Sequence, residues 1–113
     1  MLNNNLNSSL ASISGNLVTP GSGYYGRYHK DGKIVTVKGY YYISVGQLGF
    51  HDNGVVLPEN CRPKETYYAI GFDDLHYKNF PIKIQTDGKI LPYALYSDGT
   101  VQNIMFDTTF SVS

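Results

Sequence analysis

Charged residues are scarce in this sequence. Only 16% of its 113 residues are Asp, Glu, Lys or Arg, against roughly 25% in an average soluble domain. Nine basic residues balance nine acidic ones, so the formal net charge is zero. This balance argues against a nucleic-acid-binding domain, which normally carries a basic excess, and against a polybasic membrane-surface module. We therefore expect neither nucleic acid nor a membrane among its partners.

Cysteine and long apolar runs are also lacking. Cys61 is the single cysteine, which excludes an intramolecular disulfide and a zinc site built from several cysteines. No run approaches the roughly 18 apolar residues of a membrane span, and residues 1–23 lack the regions of a signal peptide. We expect a single domain that is made in a reducing cytoplasm.

What the chain has in quantity is tyrosine, glycine and turn dipeptides. Eleven tyrosines and twelve glycines favour an all-β chain with tight turns. Asp-Gly recurs at residues 31–32, 87–88 and 98–99, and Asn-Gly occurs at 53–54. These dipeptides supply the positive φ values of hairpin turns without Cβ strain. We interpret all four as hairpin turns rather than as sites.

Strand-forming segments lie between these turns, and no ten-residue stretch after residue 23 has helical periodicity. Seven to eight short strands in about 90 residues predict an antiparallel β-sandwich or jelly-roll-like barrel over residues 21–113. The predicted strands cover residues 24–29, 33–45, 55–57, 66–72, 81–85, 90–96 and 101–112.

The N-terminal segment, residues 1–20, is rich in Asn and Ser and is treated as a separate stalk or linker. Its aliphatic residues Leu6, Leu10, Ile13 and Leu17 are spaced like the seam of a coiled coil. The other residues are mediocre helix formers, so a lone helix would be marginal. A disordered tail, the end of an oligomeric coiled coil and an extended strand all stay open.

No pattern of a nucleophile, a metal site or a phosphate-binding loop is present. The sequence lacks a Gly-x-Ser-x-Gly elbow, and His29, His51 and His76 are too far apart for metal-ligand spacing. Cys61 lies between two prolines in a turn and is expected to be a half-buried structural thiol. We therefore predict no catalytic residue, no metal and no cofactor.

Four carboxylates offer a weaker, enzymatic interpretation. Glu59, Asp52, Asp73 and Asp74 could supply the acid pair of a glycoside hydrolase. Adjacent Asp73 and Asp74 could instead bind Ca²⁺, but the spaced ligands of a calcium loop are missing. A solvated turn is the favoured interpretation of this pair.

Consecutive tyrosines occur at residues 24–25, 40–42 and 67–68. Alternate side chains of a strand face opposite sides, so about half of these rings should face outward. Outward rings on a surface with little charge are typical of protein interfaces. They also make platforms for the apolar faces of sugars.

A recognisable order of motifs runs through residues 24–113. It consists of a hairpin strand at 33–37, the segment LPENCRP at 57–63, an aromatic strand at 67–71, an I-x-x-D-G-x-I motif at 84–90 and a final strand with Phe106, Phe110 and Val112. In this order the sequence resembles the C-terminal head domains of bacteriophage tail-fibre and baseplate receptor-binding proteins. LPENCRP looks like the LPEGYRP segment of those heads, with Asn-Cys where a Gly-aromatic pair is usual.

The resemblance implies a homotrimeric head that hangs on a fibrous or coiled-coil stalk in the virion. Such heads bind a host surface polysaccharide or protein and assemble with other tail or baseplate proteins. A stalk agrees with the heptad spacing near the N-terminus. Sugar-binding residues differ between phages, so the resemblance transfers no site.

These observations together predict a non-enzymatic, trimeric head of a phage or prophage tail fibre that binds a bacterial surface glycan. The alternatives are a purely structural domain that trimerises and caps a fibre, and a depolymerase that cuts surface glycan. Candidate ligand-binding residues are polar or aromatic and lie in loops. They are His51, Asp52, Asn53, Asp73, Asp74, His76 and Tyr77.

Overall fold

The computed structural model describes residues 12–17 and 25–112, which form an all-antiparallel β-structure. The one helical element of this part of the chain is a 3₁₀ turn at Glu59–Cys61. The strands are β1 (Ile13–Asn16), β2 (Tyr25–Asp31), β3 (Ile34–Ile43), β4 (Gly49–Phe50), β5 (Tyr67–Asp73), β6 (Lys78–Ile84), β7 (Ile90–Ala94) and β8 (Gln102–Ser111).

The strands follow one another in the hydrogen-bonded order β1-β2-β3-β8-β5-β6-β7-β4. The predicted all-β antiparallel class is confirmed. The finer prediction of a sandwich or jelly roll is not, because the strands make one continuous sheet. This sheet has two four-stranded halves, and the ladder between them at β8 and β5 consists of one pair, Phe72 and Met105.

Alternation along the strands places one face of the sheet in the core. On β3, the inward-facing residues are buried and the outward-facing ones are more exposed. The buried residues are Val35, Val37, Gly39, Tyr41 and Ile43, and the residues that alternate with them are Thr36, Lys38, Tyr40 and Tyr42. Buried side chains of β5 to β8 and of the segment 55–61 join the same hydrophobic cluster. Both halves therefore share one core, and full burial of each large aliphatic side chain contributes about 1.5–3 kcal/mol.

Two of the four predicted turns close hairpins as expected. Asp31 pairs with Ile34, and Gly32, the first of the two loop residues, has φ 62°, the pattern of a type II′ turn. At residues 86–88 the loop is a three-residue one in which Gly88 has φ 89° and forms the bulge. The strands flanking both turns are adjacent in the sheet.

The third Asp-Gly turn does not close a hairpin, so that prediction is wrong. Residues 98–99 connect β7 to β8, which are not neighbours because β5 and β6 lie between them. The two strands are linked instead by the buried Gln102, whose amide accepts from the Leu95 N–H at 2.8 Å and donates to the Tyr93 carbonyl at 3.0 Å. A side chain thus supplies the hydrogen bonds that a ladder would otherwise make.

The Asn-Gly turn at residues 53–54 is also not a hairpin. The chain on both sides of it runs antiparallel to β7, since Phe50 pairs with Tyr93 and Val56 pairs with Lys89. Between these pairs the register shifts by two residues, which makes the turn a bulge in an edge strand. Bulges of this kind discourage edge-to-edge pairing.

The N-terminal heptad interpretation is wrong for the two aliphatic residues that the structure describes. Ile13 begins β1, which pairs with β2, and Leu17 is buried in the core, so neither lies on a helical seam. Leu6 and Leu10 lie outside the described residues, as does the predicted domain boundary near residue 20. Residues 13–17 therefore belong to the same sheet as the rest of the domain.

Inward-facing glycines lie directly opposite aromatic residues on neighbouring strands. A Cβ atom built on Gly39 would lie 2.5 Å from the Phe106 ring, and one on Gly71 would lie 2.5 Å from the Phe80 ring. Each ring packs over the bare backbone of its paired glycine, as in the aromatic rescue of strand glycines. The cross-strand pairs are Gly15 with Tyr28, Gly39 with Phe106 and Gly71 with Phe80.

Replacing Gly39 with alanine should lower the free energy of unfolding by about 1–3 kcal/mol, because the methyl group displaces the Phe106 ring in a packed core. Urea unfolding measures the change. Gly46→Ala is the control, since the nearest atom to its Cβ lies at 3.9 Å. The double variant with Phe106→Leu should recover part of the loss. Equal stability of the two single variants would contradict the packing argument.

Candidate functional site

The hairpin of β5 and β6 carries four of the predicted ligand-binding residues, namely Asp73 at the end of β5 and Asp74, His76 and Tyr77 in the loop. Asp73 pairs with Lys78 across this hairpin, which leaves the four loop residues Asp74 to Tyr77 at its tip. Tyr77 has φ 57°, an uncommon conformation for a residue with a side chain. The carboxylate of Asp73 shapes the loop by accepting from the Leu75 N–H at 3.0 Å.

Asp73 is fully buried and joins the loop to β8. Its Oδ1 also accepts from the Asn103 backbone N–H at 3.2 Å, and its Oδ2 lies 2.6 Å from His76 Nδ1. A buried carboxylate needs such partners, since an unpaired one costs several kcal/mol. Asp73 is therefore a positioning residue that holds the loop against the end of β8.

Asp74, the next residue, contacts side chains of β3 and β8. Its Oδ1 accepts from Asn103 Nδ2 at 2.6 Å, and its Oδ2 accepts from the Tyr40 hydroxyl at 3.3 Å. Asn103 Nδ2 also lies 3.4 Å from that hydroxyl. We call these three side chains the Asp74 cluster. The negative charge of Asp74 is the main cause that raises the pKa of Tyr40.

Aromatic rings flank the Asp74 cluster. Tyr42 pairs with Asn103 across β3 and β8 and is half exposed, while Tyr77 in the loop is 81% exposed. Carboxylate, amide and phenol groups bind sugar hydroxyls, and exposed rings cover the apolar faces of sugars. The arrangement therefore has the chemistry of a shallow site for a neutral polyhydroxylated ligand.

Another aromatic residue, Tyr96, packs against His76 of this loop. The Tyr96 ring lies 4.9 Å from the His76 ring, and Lys78 Nζ lies 5.6 Å from its centroid. The Tyr96 hydroxyl is buried and has no hydrogen-bond partner among the described residues. These contacts fix His76 on the side of the loop that faces the sheet.

The other three predicted ligand residues, His51, Asp52 and Asn53, lie elsewhere. They belong to the bulged edge segment beside β7. In the order of the sheet, β6 and β7 lie between this segment and β5. Asp52 accepts from the Gly54 N–H at 2.9 Å and lies 3.4 Å from Lys89. The Gly54 hydrogen bond, followed by the contact with Lys89, lowers the pKa of Asp52. The structure thus gives Asp52 a role in shaping the bulge.

Sequence reasoning missed Tyr40, Tyr42 and Asn103 as members of the site. The alternation of residues 40–42 placed the two outer rings on one face, but it did not show which strand lay beside them. Asn103 carried no signal of its own, because its position depends on the register between β3 and β8.

The described part of the chain contains neither a metal-binding cluster nor an exposed thiol. Residues 12–17 and 25–112 contain no group of three or more His, Cys, Asp or Glu side chains placed to hold a metal ion. Cys61 is fully buried rather than half-buried, and burial raises the pKa of its thiol. The described residues also include no helix with the length and apolar character needed to cross a membrane.

No protein-family model matches this sequence, and no curated protein matches it.

The pKa of Tyr40 offers a test of the Asp74 cluster. Asp74→Asn removes the negative charge that opposes ionisation of the phenol, so the pKa of Tyr40 should fall toward its ordinary value of about 10. In the parent protein the contribution of this contact to stability is complete below pH ~10 and is lost as pH rises through the raised value. Carbon NMR of labelled tyrosine rings measures the titration. Asp107→Asn is the control, and an unchanged Tyr40 titration in Asp74→Asn would contradict the geometry.

Proposed function

We propose that this chain is the head domain of a phage or prophage tail fibre, that three copies assemble, and that the assembly binds a glycan on the host cell surface without catalysing a reaction. The observation that carries the proposal is the Asp74 cluster, in which a carboxylate, an amide and a phenol are held together beside the half-exposed ring of Tyr42. The sequence resemblance to tail-fibre heads supports the same assignment.

The site is built for weak binding. Sugar hydroxyls would exchange hydrogen bonds with water for bonds to Asp74 and Asn103. Such an exchange yields about 0.5–1.5 kcal/mol for the neutral Asn103 amide and about 1.5–3 kcal/mol for the charged Asp74 carboxylate. Several sites on one particle compensate, because each bound site raises the effective concentration of the next. Avidity of a trimer that is repeated on a virion would convert these weak contacts into firm attachment.

A second surface supports self-association. On the outer face of β4 to β7, Ile70 is 74% exposed, Tyr68 is 59% exposed, and the Phe50 ring lies 6.2 Å from the Tyr68 ring. Lys83 Nζ covers the Phe50 ring at 4.4 Å. We call this surface the Ile70 patch. Contiguous apolar surface of this kind usually marks an interface, and a second copy of the chain is the partner that the proposed trimer supplies.

The same contacts give less support to the alternative that the chain is a depolymerase. Asp73 is enclosed and holds three partners, so it has no oxygen free to exchange a proton with a bound sugar. Asp74 is the accessible carboxylate, and its two hydrogen-bond partners, the Asn103 amide and the Tyr40 phenol, are neutral groups. The Asp74 cluster therefore supports recognition rather than cleavage.

Glycan binding is tested with the whole chain on an array of bacterial surface polysaccharides and on whole bacterial cells. Asn103→Ala and Tyr42→Ala should each lower binding about tenfold, since each removes one polar or stacking contact worth roughly 1–2 kcal/mol. Asn60→Ala, an exposed substitution on the 3₁₀ turn, should leave binding unchanged.

Three outcomes would overturn parts of this proposal. Failure to bind any polysaccharide or cell would leave the domain a structural cap of the fibre. Binding that is insensitive to both site variants would move the site away from the Asp74 cluster. Release of reducing ends from a bound polysaccharide, lost in Asp74→Ala, would show a depolymerase instead.

The Ile70 patch predicts the assembly state. Sedimentation of the chain at micromolar concentration should give a trimer, and Ile70→Lys should shift it toward monomer because an ammonium group would be buried in an apolar contact. Val101→Lys is the control, since Val101 is an exposed aliphatic residue outside the patch. A stable monomer of the unmodified chain would contradict the prediction.

A further inference from the structure

A basic depression lies on the outer face of β1, β2 and β3, beside the Asp74 cluster. It has a volume of about 290 Å³, near the lower end of the ~300–1,000 Å³ range of ligand sites. We call it the Arg27 groove. Its lining residues are Ser14, Arg27, Tyr28, His29, Thr36 and Lys38.

Strand register explains why these side chains meet. Arg27 pairs with Lys38, and His29 pairs with both Thr36 on one side and Ser14 on the other. Directly paired residues of antiparallel strands project on the same face. Two cations, an imidazole and two hydroxyls are thereby collected from three separate strands.

The positive charge of the Arg27 groove is only partly neutralised. Arg27 Nη1 donates to the neutral amide oxygen of Asn16 at 3.3 Å, and no carboxylate lies within ion-pair distance of it among the described residues. Lys38 lies 3.8 Å from Asp107, but both side chains are about 60% exposed. A surface pair of this kind contributes little and is readily exchanged for another anion.

We infer that the Arg27 groove binds the carboxylate or phosphate group of an acidic saccharide. This inference rests on the proposed function and narrows it, because it makes the ligand an anionic glycan. The planar guanidinium of Arg27 suits a carboxylate or phosphate through two parallel hydrogen bonds. Lys38 adds a second charge, and the hydroxyls of Ser14 and Thr36 donate to the remaining oxygens.

The geometry of β3 connects this groove to the Asp74 cluster. Thr36, Lys38, Tyr40 and Tyr42 alternate along the outer face, so neighbouring side chains are about 7 Å apart. A saccharide chain lying along β3 would meet the groove at one end and the Asp74 cluster at the other. The groove thus becomes the charged end of a longer site.

The acidic residues near the Arg27 groove also limit which polyanions it can bind. Asp74 and Asp107 lie on the same outer face as the groove, and they would repel an anion that carries a charge on every unit. The groove itself offers one concentrated positive position at Arg27 and Lys38. The ligand that fits has an acidic sugar separated from the next by neutral ones.

Calorimetric titration with three polymers tests the inference. They are a polysaccharide of alternating glucuronate and neutral sugar, its carboxyl-reduced neutral form, and a polysaccharide of neutral sugars with a phosphodiester at every second unit. The whole chain should bind the first more tightly than its reduced form by about tenfold or more, as expected for one charged hydrogen-bonded contact. Comparison of the carboxylate and phosphate polymers identifies which anion the groove prefers.

Substitutions test whether Arg27 causes the preference for the acidic polymer. Arg27→Gln should abolish the preference for the acidic over the reduced polymer, and Arg27→Lys should restore only part of it because an ammonium lacks the planar fork. Lys64→Gln removes one positive charge from an exposed loop outside the groove and should leave the preference intact. Circular dichroism verifies that each variant is folded.

The results separate this inference from the proposed function. Equal binding of the acidic and reduced polymers, unaffected by Arg27→Gln but lost in Asn103→Ala, would overturn the anionic site and leave glycan recognition standing. Binding of the acidic polymers that depends on Arg27 but not on Asn103 would support the groove and overturn the Asp74 cluster as a site. Absence of binding to all three polymers would overturn the inference.

Discussion

The ten-residue ladder between β3 and β8 is the constraint on which the rest of the structure depends. It joins Ile34–Ile43 to Gln102–Ser111 in one register, although residues 44–101 lie between the two strands along the chain. On the inner face this register places Phe106 over Gly39 and fixes the core. On the outer face it places Tyr40 and Asn103 within reach of Asp74. A slip by one residue would exchange the two faces and destroy both arrangements together.

Asp73 also stabilises the sheet, because its carboxylate connects the two halves where backbone pairing is sparse. The ladder between β8 and β5 has a single pair, Phe72 with Met105, and the Asp73 carboxylate adds a hydrogen bond to the Asn103 N–H immediately beside it. A carboxylate in this position is stable only because all its bonds are made. The same bonds orient the adjacent Asp74, so the stability of the sheet junction and the geometry of the cluster have one origin.

Local patterns predicted most of the strands but could not predict their partners. The turns at residues 31–32 and 87–88 were identified because the local chemistry of Asp-Gly decides them. The turns at 53–54 and 98–99 contain the same kind of dipeptide, yet one is a bulge and the other leads to a distant strand, which depends on non-local pairing. Ile13 and Leu17 were misassigned because residues four apart share a face in a strand as well as in a helix. Within the site, Asp74 could be named as a polar loop residue, but Asn103 could not, since its role comes from register.

Alternate residues of β3 face either the core or the surface that we propose binds the glycan. Val35, Val37, Tyr41 and Ile43 face the core, whereas the residues between them carry the hydroxyl, ammonium and phenol groups of the outer face. Because the backbone of a central strand is rigid, the distance between the Arg27 groove and the Asp74 cluster is set by strand geometry rather than by loop conformation. If this surface binds a ligand as proposed, substitutions at alternate positions of one strand can change the preference without disturbing the core. In a protein with so few charged residues, this placement concentrates several of them on the surface proposed for binding.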